Sequence, residues 1–160
     1  MLVGATNIDF LIPKYKLRAC AREIGAQMKT ARTKAALEGK NIYLEYDLSN
    51  REYWLNVPFE KVLDSDENPS QEKKYEYQKW SRKSLPEGIE FIDIIYNDIK
   101  TTTGTTSVLV TPFGFSNHHI VNLKNSDGQK IAIKINGFTG NLTFYDDYKD
   151  ADVKLEDANY

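Results

Sequence analysis

A chain of 160 residues, 41% of them hydrophobic and 12% aromatic, can bury one sizeable core, so residues 1–160 are expected to form a single domain. The net charge of -2 and the pI near 5.7 exclude any general attraction to nucleic acid or to anionic membrane, and either would need a local patch. Cys20 is the only cysteine, which excludes an internal disulfide.

At the N-terminus, Leu2 to Ala5 and, but for Asp9, Ile8 to Ile12 are apolar, but the stretch is too short and too interrupted for a membrane span or a signal peptide. Residues 13–39 carry the clearest periodicity in the chain. Leu17, Ala21, Ile24, Met28, Ala31 and Ala35 recur at steps of four and three, which places them on one face of a helix. Arg18, Arg22, Lys29 and Lys34 occupy the opposite face. Pro13 suits a first helical position and Gly39 the residue just past the end, so the pattern predicts one helix of roughly 39 Å at about 1.5 Å per residue. Its C-terminal half, Ile24 to Ala35, is expected to pack on a sheet through Ile24, Gly25, Met28, Ala31 and Ala35. Gly25 costs about 1 kcal/mol relative to Ala inside a helix, so close packing is its expected reason.

Residues 40–145 read as a β-domain. Alternation over Ile42 to Leu48 and Tyr53 to Val57, with Ser49-Asn50-Arg51 between, predicts a hairpin. From Glu60 to Lys83, half of the 24 residues are charged, six of each sign, which reads as an excursion carrying Tyr75, Tyr77 and Trp80. Ile89 to Tyr96 has six apolar residues in eight, dense enough for a central strand covered on both faces. A polar loop is expected over Thr101 to Thr106, then a strand over Ser107 to Thr111 stopped by Pro112. Ile120 to Leu123 and Lys130 to Asn136 flank Asn125-Ser126-Asp127-Gly128, whose Asp-Gly pair signals a hairpin. Thr139-Gly140 turns the chain into Asn141 to Tyr145. About seven strands result, enough for two small sheets. The expected architecture is therefore α+β, a long N-terminal helix packed on an antiparallel β-sandwich of two small sheets. Residues 146–160, with six acids against Lys149 and Lys154, are expected to be an acidic tail.

Chemistry-bearing patterns are scarce. His118 and His119 are adjacent, so on a strand they point to opposite faces and cannot chelate one ion together. The sequence lacks a nucleophile elbow, a phosphate-cradling Gly-rich loop, a zinc-binding His-Glu-x-x-His and a Cys-x-x-Cys. Asp146, Asp147, Asp150 and Asp152 offer hard oxygen ligands but lack the spacing of a calcium loop. No catalytic, cofactor or metal residue is therefore assigned, and neither an enzymatic activity nor a small-molecule substrate is expected.

Several short motifs carry a family resemblance. Ala31-Arg32-Thr33-Lys34-Ala35-Ala36, followed by Gly39 and the strand Ile42-Tyr43-Leu44, resembles the Ala-Arg-x-x-Ala-apolar signature of the H-type minor pseudopilins, the GspH/FimT family of type II secretion and type IV pilus systems. Ala36 is smaller than the usual Ile or Val. Leu85-Pro86-Glu87-Gly88-Ile89 is similar to the family's entry into a central strand. Val110-Thr111-Pro112-Phe113-Gly114 is similar to its apolar-x-Pro-x-Gly turn, and Thr139-Gly140-Asn141-Leu142 to its closing Thr-Gly-Arg-Val, with Asn141 in place of Arg.

The resemblance implies a pilin-like fold and a structural subunit of a type II secretion pseudopilus, aiding protein export across the outer membrane by filament assembly. Its alternative is a FimT-like minor pilin of a type IV pilus, acting in pilus assembly or DNA uptake. It implies other pseudopilins or pilins as partners, and an inner-membrane protein with a periplasmic domain in a Gram-negative-type bacterium. Residues 1–12 are then expected to be the remnant of an apolar membrane helix, and the chain itself to be soluble. The acidic C-terminal segment makes DNA an unlikely partner, because phosphate contacts dominate such binding. The assembly surface is expected on the N-terminal half of the helix, at Tyr15, Leu17, Cys20 and Ala21, with Tyr15, Leu17 and Cys20 partly exposed.

Overall fold

A computed structural model describes residues 5–60 and 75–151, of which 5–10 are described by their backbone alone. Among the described residues one helix, α1 (Ala5–Glu38), precedes nine strands: β1 (Ile42–Asp47), β2 (Glu52–Glu60), β3 (Tyr75–Ser84), β4 (Ile89–Tyr96), β5 (Ile99–Thr101), β6 (Thr105–Val110), β7 (His119–Asn125), β8 (Lys130–Ile135) and β9 (Leu142–Tyr145). They form two antiparallel sheets, ordered β3-β2-β1-β6 and β5-β4-β7-β8-β9. This is the α+β layering expected from the order of the elements.

The helix lies across both sheets, against β1 and β6 of the first and β7 and β8 of the second. Its stripe of Leu17, Ala21, Ile24, Met28, Ala31 and Ala35 joins Leu44, Tyr46 and Leu55 from one sheet and Val121, Leu123 and Ile133 from the other in a single buried cluster. Alternation puts these strand residues inward: in β1, Ile42, Leu44 and Tyr46 are buried, while Tyr43, Glu45 and Asp47 are half-exposed. At Gly25 the approach is close, since a Cβ built there would stand 2.5 Å from Cδ1 of Leu142. Asp127-Gly128 makes its hairpin between β7 and β8, with Asn125 Oδ1 accepting from the N–H groups of Asp127 and Gln129.

Four expectations need correction. Pro13 does not open the helix, which already runs from Ala5; Pro13 lies inside it, where it has no N–H to offer the preceding turn. Among the described residues no helix is long and apolar enough to cross a membrane. The charged excursion closes with a ten-residue edge strand, β3, while residues 61–74 of it lie outside the described residues. Its side chains are mostly exposed, so the alternation that marks a half-buried strand is absent. The polar loop expected at Thr101 is preceded by β5, paired to β4 through the two-residue turn Asn97-Asp98, both at positive φ. That turn was missed because the familiar signal for it carries glycine. Finally, Asp146 to Ala151 is not a free tail. Lys149 donates its N–H to Asn122 Oδ1 and its carbonyl accepts from Asn122 Nδ2, Tyr148 donates to Asp93 Oδ2 at 2.7 Å, and Ala151 packs with Ile95, Ile120 and Ala132. The segment straps the outer face of the second sheet; residues 152–160, with Asp152, lie outside the described residues.

One polar tie joins helix to edge strand. The β2–β3 register shifts between Tyr53 and Leu55, so Ser81 and Arg82 together face Trp54, and Ser81 adopts φ 53°. Gln27, only 2% exposed, donates from Nε2 to the Ser81 carbonyl at 2.8 Å and accepts from the Ser81 hydroxyl at 3.2 Å. Removing a buried partner leaves the other side unsatisfied, so Gln27→Leu is expected to lower unfolding free energy by about 1–3 kcal/mol. Ser81→Gly relieves the left-handed backbone but also removes the hydroxyl that donates to Gln27 Oε1, so the two effects oppose and it is expected to destabilise less than Gln27→Leu. Urea titration of both variants checks the pair.

Candidate assembly surface

The helix presents two faces with different fates. On the inner face Leu17 is 1% exposed, Cys20 3% and Ala21 0%. The expectation that Leu17 and Cys20 are partly exposed is therefore corrected. The reason is the reach of the β-domain: the β7–β8 turn, at Gly128 and Gln129, comes down beside Lys14 and Leu17. Arg18 also forms an ion pair with Asp146 at 3.1 Å, at the start of the strap. Burial, reinforced by the nearby Glu23, pushes the Cys20 thiol up to about 12, so it is an inert core residue.

Of the four residues expected to face other subunits, Tyr15 alone is open, at 65% exposure. It stands with Leu11 and Ile12, each close to half-exposed. These three form an apolar stem about one turn below the expected place. Ile24, Gly25, Met28, Ala31 and Ala35 lie on the buried face.

Arg32 shows why motifs far apart in sequence occur together. Its guanidinium lies across two turns: a Cβ at Gly140 would stand 2.7 Å from Arg32 Cζ, and one at Gly114 would stand 3.4 Å from Nη2. Both glycines also have positive φ, which a side chain tolerates poorly. The helix signature, the Pro-x-Gly turn and the closing Thr-Gly turn thus meet at one side chain, whose Nη2 reaches toward the Phe138 carbonyl.

Among the described residues the two histidines occupy separate environments. His119 is 1% exposed and its Nε2 meets the Tyr46 hydroxyl at 3.0 Å; burial pushes its pKa down to about 4, against the opposing pull of the Asn117 backbone. His118 is exposed, and its Nδ1 accepts the Gly137 N–H at 3.1 Å. The two point apart, as their adjacency requires. Asp146 pairs with Arg18 and Asp150 with Lys100, so two of the four acids that offered hard oxygen ligands are engaged by cations. Among the described residues no group of three or more acidic, His or Cys side chains is placed to hold a metal ion.

The pattern reading missed Gln27, Asp93 and Asn122, which organise the polar ties. The available signal was a polar residue where periodicity demands an apolar one. Gln27 sits three residues after Ile24, Asp93 interrupts Ile89 to Tyr96, and Asn122 interrupts Ile120 to Leu123.

No protein-family model matches the sequence, and no curated protein matches it. Solved structures do match by fold. The minor pseudopilin EpsH from the type 2 secretion system of Vibrio cholerae superposes with a TM-score of 0.56 at 14% identity, over 82% of this chain and 97% of that one. A second EpsH structure gives 0.54 at 13% identity, over 86% and 99%. The type IV minor pilin FimU of Pseudomonas aeruginosa gives 0.51 at 12% identity, over 82% and 90%. The chain has the pilin-like fold of these proteins.

The buried His119 makes stability pH-dependent. Its pKa is lower folded, about 4, than the ordinary 6.5, so the unfolded chain takes up the proton first. The stability that the neutral ring permits is complete above about pH 6.5 and is lost as pH falls toward 4, by up to about 3 kcal/mol. Urea unfolding across this window is expected to show that fall, and His119→Gln is expected to flatten it. An equal slope in the variant would assign the acid sensitivity elsewhere.

Proposed function

We propose that this chain is the periplasmic domain of an H-type minor pseudopilin, a structural filament subunit of a type II secretion system rather than an enzyme. One observation carries the reading. The inner stripe of the helix is buried from Leu17 to Ala35, yet its stem exposes Leu11, Ile12 and Tyr15 together, and contiguous exposed apolar surface marks an interaction site. The likeness to EpsH and the four ordered motifs support it. In this reading the stem continues the apolar helix that holds the protein in the inner membrane, and it packs against the helices of neighbouring pseudopilins. The likeness to FimU favours a second reading, a minor pilin of a type IV pilus. DNA is not a partner in the first reading, because the chain is acidic and Asp146, Asp147 and Asp150 lie along the strap.

The test separates fold from assembly. Leu11→Asp and Tyr15→Asp are exposed changes and are expected to alter stability by less than about 0.5 kcal/mol. In the full-length protein of the source bacterium they are expected to abolish filament-dependent protein export. Normal export with both substitutions would overturn the assembly role of the stem. Loss of surface pili with export intact would select the type IV reading. A tight, salt-sensitive gel-shift complex with duplex DNA would assign a DNA-uptake role instead.

A further inference from the structure

At the end of the second sheet remote from the helix stem, the β4–β5 turn faces the loops flanking β7 and β8. Between them lies a cleft of about 350 Å³ lined by Asn97, Asp98, His118, Lys134 and Asn136, with His119 behind them. A smaller depression of about 160 Å³, walled by Tyr96, Phe115 and Phe138, adjoins it. The Asn117 to Asn97 side-chain hydrogen bond and the His118–Phe138 ring pair, with centroids 5.4 Å apart, link the linings of the two. We propose that this double cleft binds a neutral glycan chain, hydroxyls in the polar half and a sugar face on the Phe138 and Phe115 rings.

The hydrogen-bonding inventory points to that class. Asp98 makes no side-chain hydrogen bond or ion pair among the described residues, so its carboxylate is an open acceptor. Asn97 spends its Oδ1 on Asn117, and Asn136 spends its Oδ1 on the N–H groups of Phe138 and Thr139. Each therefore keeps its amide NH₂ for a ligand. His118 accepts from Gly137 at Nδ1, which leaves its proton on Nε2 as a donor.

One open carboxylate beside several N–H donors suits neighbouring hydroxyls, each of which both donates and accepts. A phosphate would meet the Asp98 charge, and a metal ion would find too few anionic ligands. A purely apolar ligand would strand the polar groups. The aromatic half is the other part of the match: Phe115 is 50% exposed and Phe138 65%, and their rings stand edge to face at 6.0 Å. They offer flat apolar surface beside polar groups, the usual composition of a small-ligand site. Asn97 and Asp98 hold φ values of 53° and 60°, where glycine would be more stable. Asn and Asp tolerate this conformation better than other side chains, and here the turn sets their polar groups at the cleft.

Isotope-labelled protein titrated with chitohexaose, cellohexaose and maltohexaose and followed by NMR tests the proposal. At least one is expected to give saturable shifts confined to Asn97, Asp98, His118, Asn136 and the Phe115 and Phe138 rings. Asp98→Gly separates binding from folding, because it is expected to raise the melting temperature while weakening the glycan by about tenfold. Phe138→Ala is expected to weaken it similarly with the fold unchanged. The proposal is overturned if none of the three sugars gives saturable shifts in the cleft, if inorganic phosphate gives the same shifts, or if both variants bind like the parent. Those results leave the filament role of the helix stem unaffected.

Discussion

The burial of one helix face against two sheets at once is the constraint on which the remaining structure depends. Leu17, Ile24 and Met28 are each fully covered, and burying side chains of this size contributes about 1.5–3 kcal/mol apiece. Together these three supply an amount comparable with the whole net stability of a domain, about 5–15 kcal/mol. The rest of the stripe is made of Ala21, Gly25, Ala31 and Ala35, small enough for the helix backbone to sit close to β1, β6, β7 and β8. Neither sheet could cover its inner face in the same way without the helix, since the buried cluster runs continuously through all three layers.

Specificity on top of that packing comes from a few polar contacts between the helix and the ends of the sheets. Gln27 fixes the bulge in β3, Arg18 meets the strap at Asp146, and Arg32 lies across the turns at Gly114 and Gly140. Each position lies at the margin of the buried stripe, where a long side chain reaches outward from the helix. These contacts set the register between helix and loops, whereas the apolar stripe alone would tolerate sliding. Buried polar ties of this kind cost stability when left half made.

What the sequence made legible follows from which signals are local. The helix and its buried stripe, the β1–β2 hairpin and the Asp127-Gly128 hairpin all rest on periodicity or turn chemistry readable within a few residues. The order of four motifs was visible too, although the meeting of three of them at Arg32 was not, because that contact spans residues 32 to 140. β3 was hidden because an edge strand with both faces open shows no alternation, and β5 because Asn97-Asp98 takes the place of a glycine turn. Leu17 and Cys20 were placed on the wrong side of the boundary between stem and core. That boundary is drawn by the landing point of the β7–β8 turn on the helix, a tertiary distance that no helical period encodes. The strap was obscured by charge: its acids read as solvated, while the anchoring groups are the neutral Tyr148 and the Lys149 backbone.

If the helix is the shared core of both sheets, it opens only when the whole domain does. Native-state hydrogen exchange reads this directly. The account predicts that the amides of Ile24 to Ala35 exchange with the same free energy as those of β1, β7 and β8, all at the global unfolding value. Exchange of the helix amides at a distinctly lower free energy, with either sheet still protected, would contradict it.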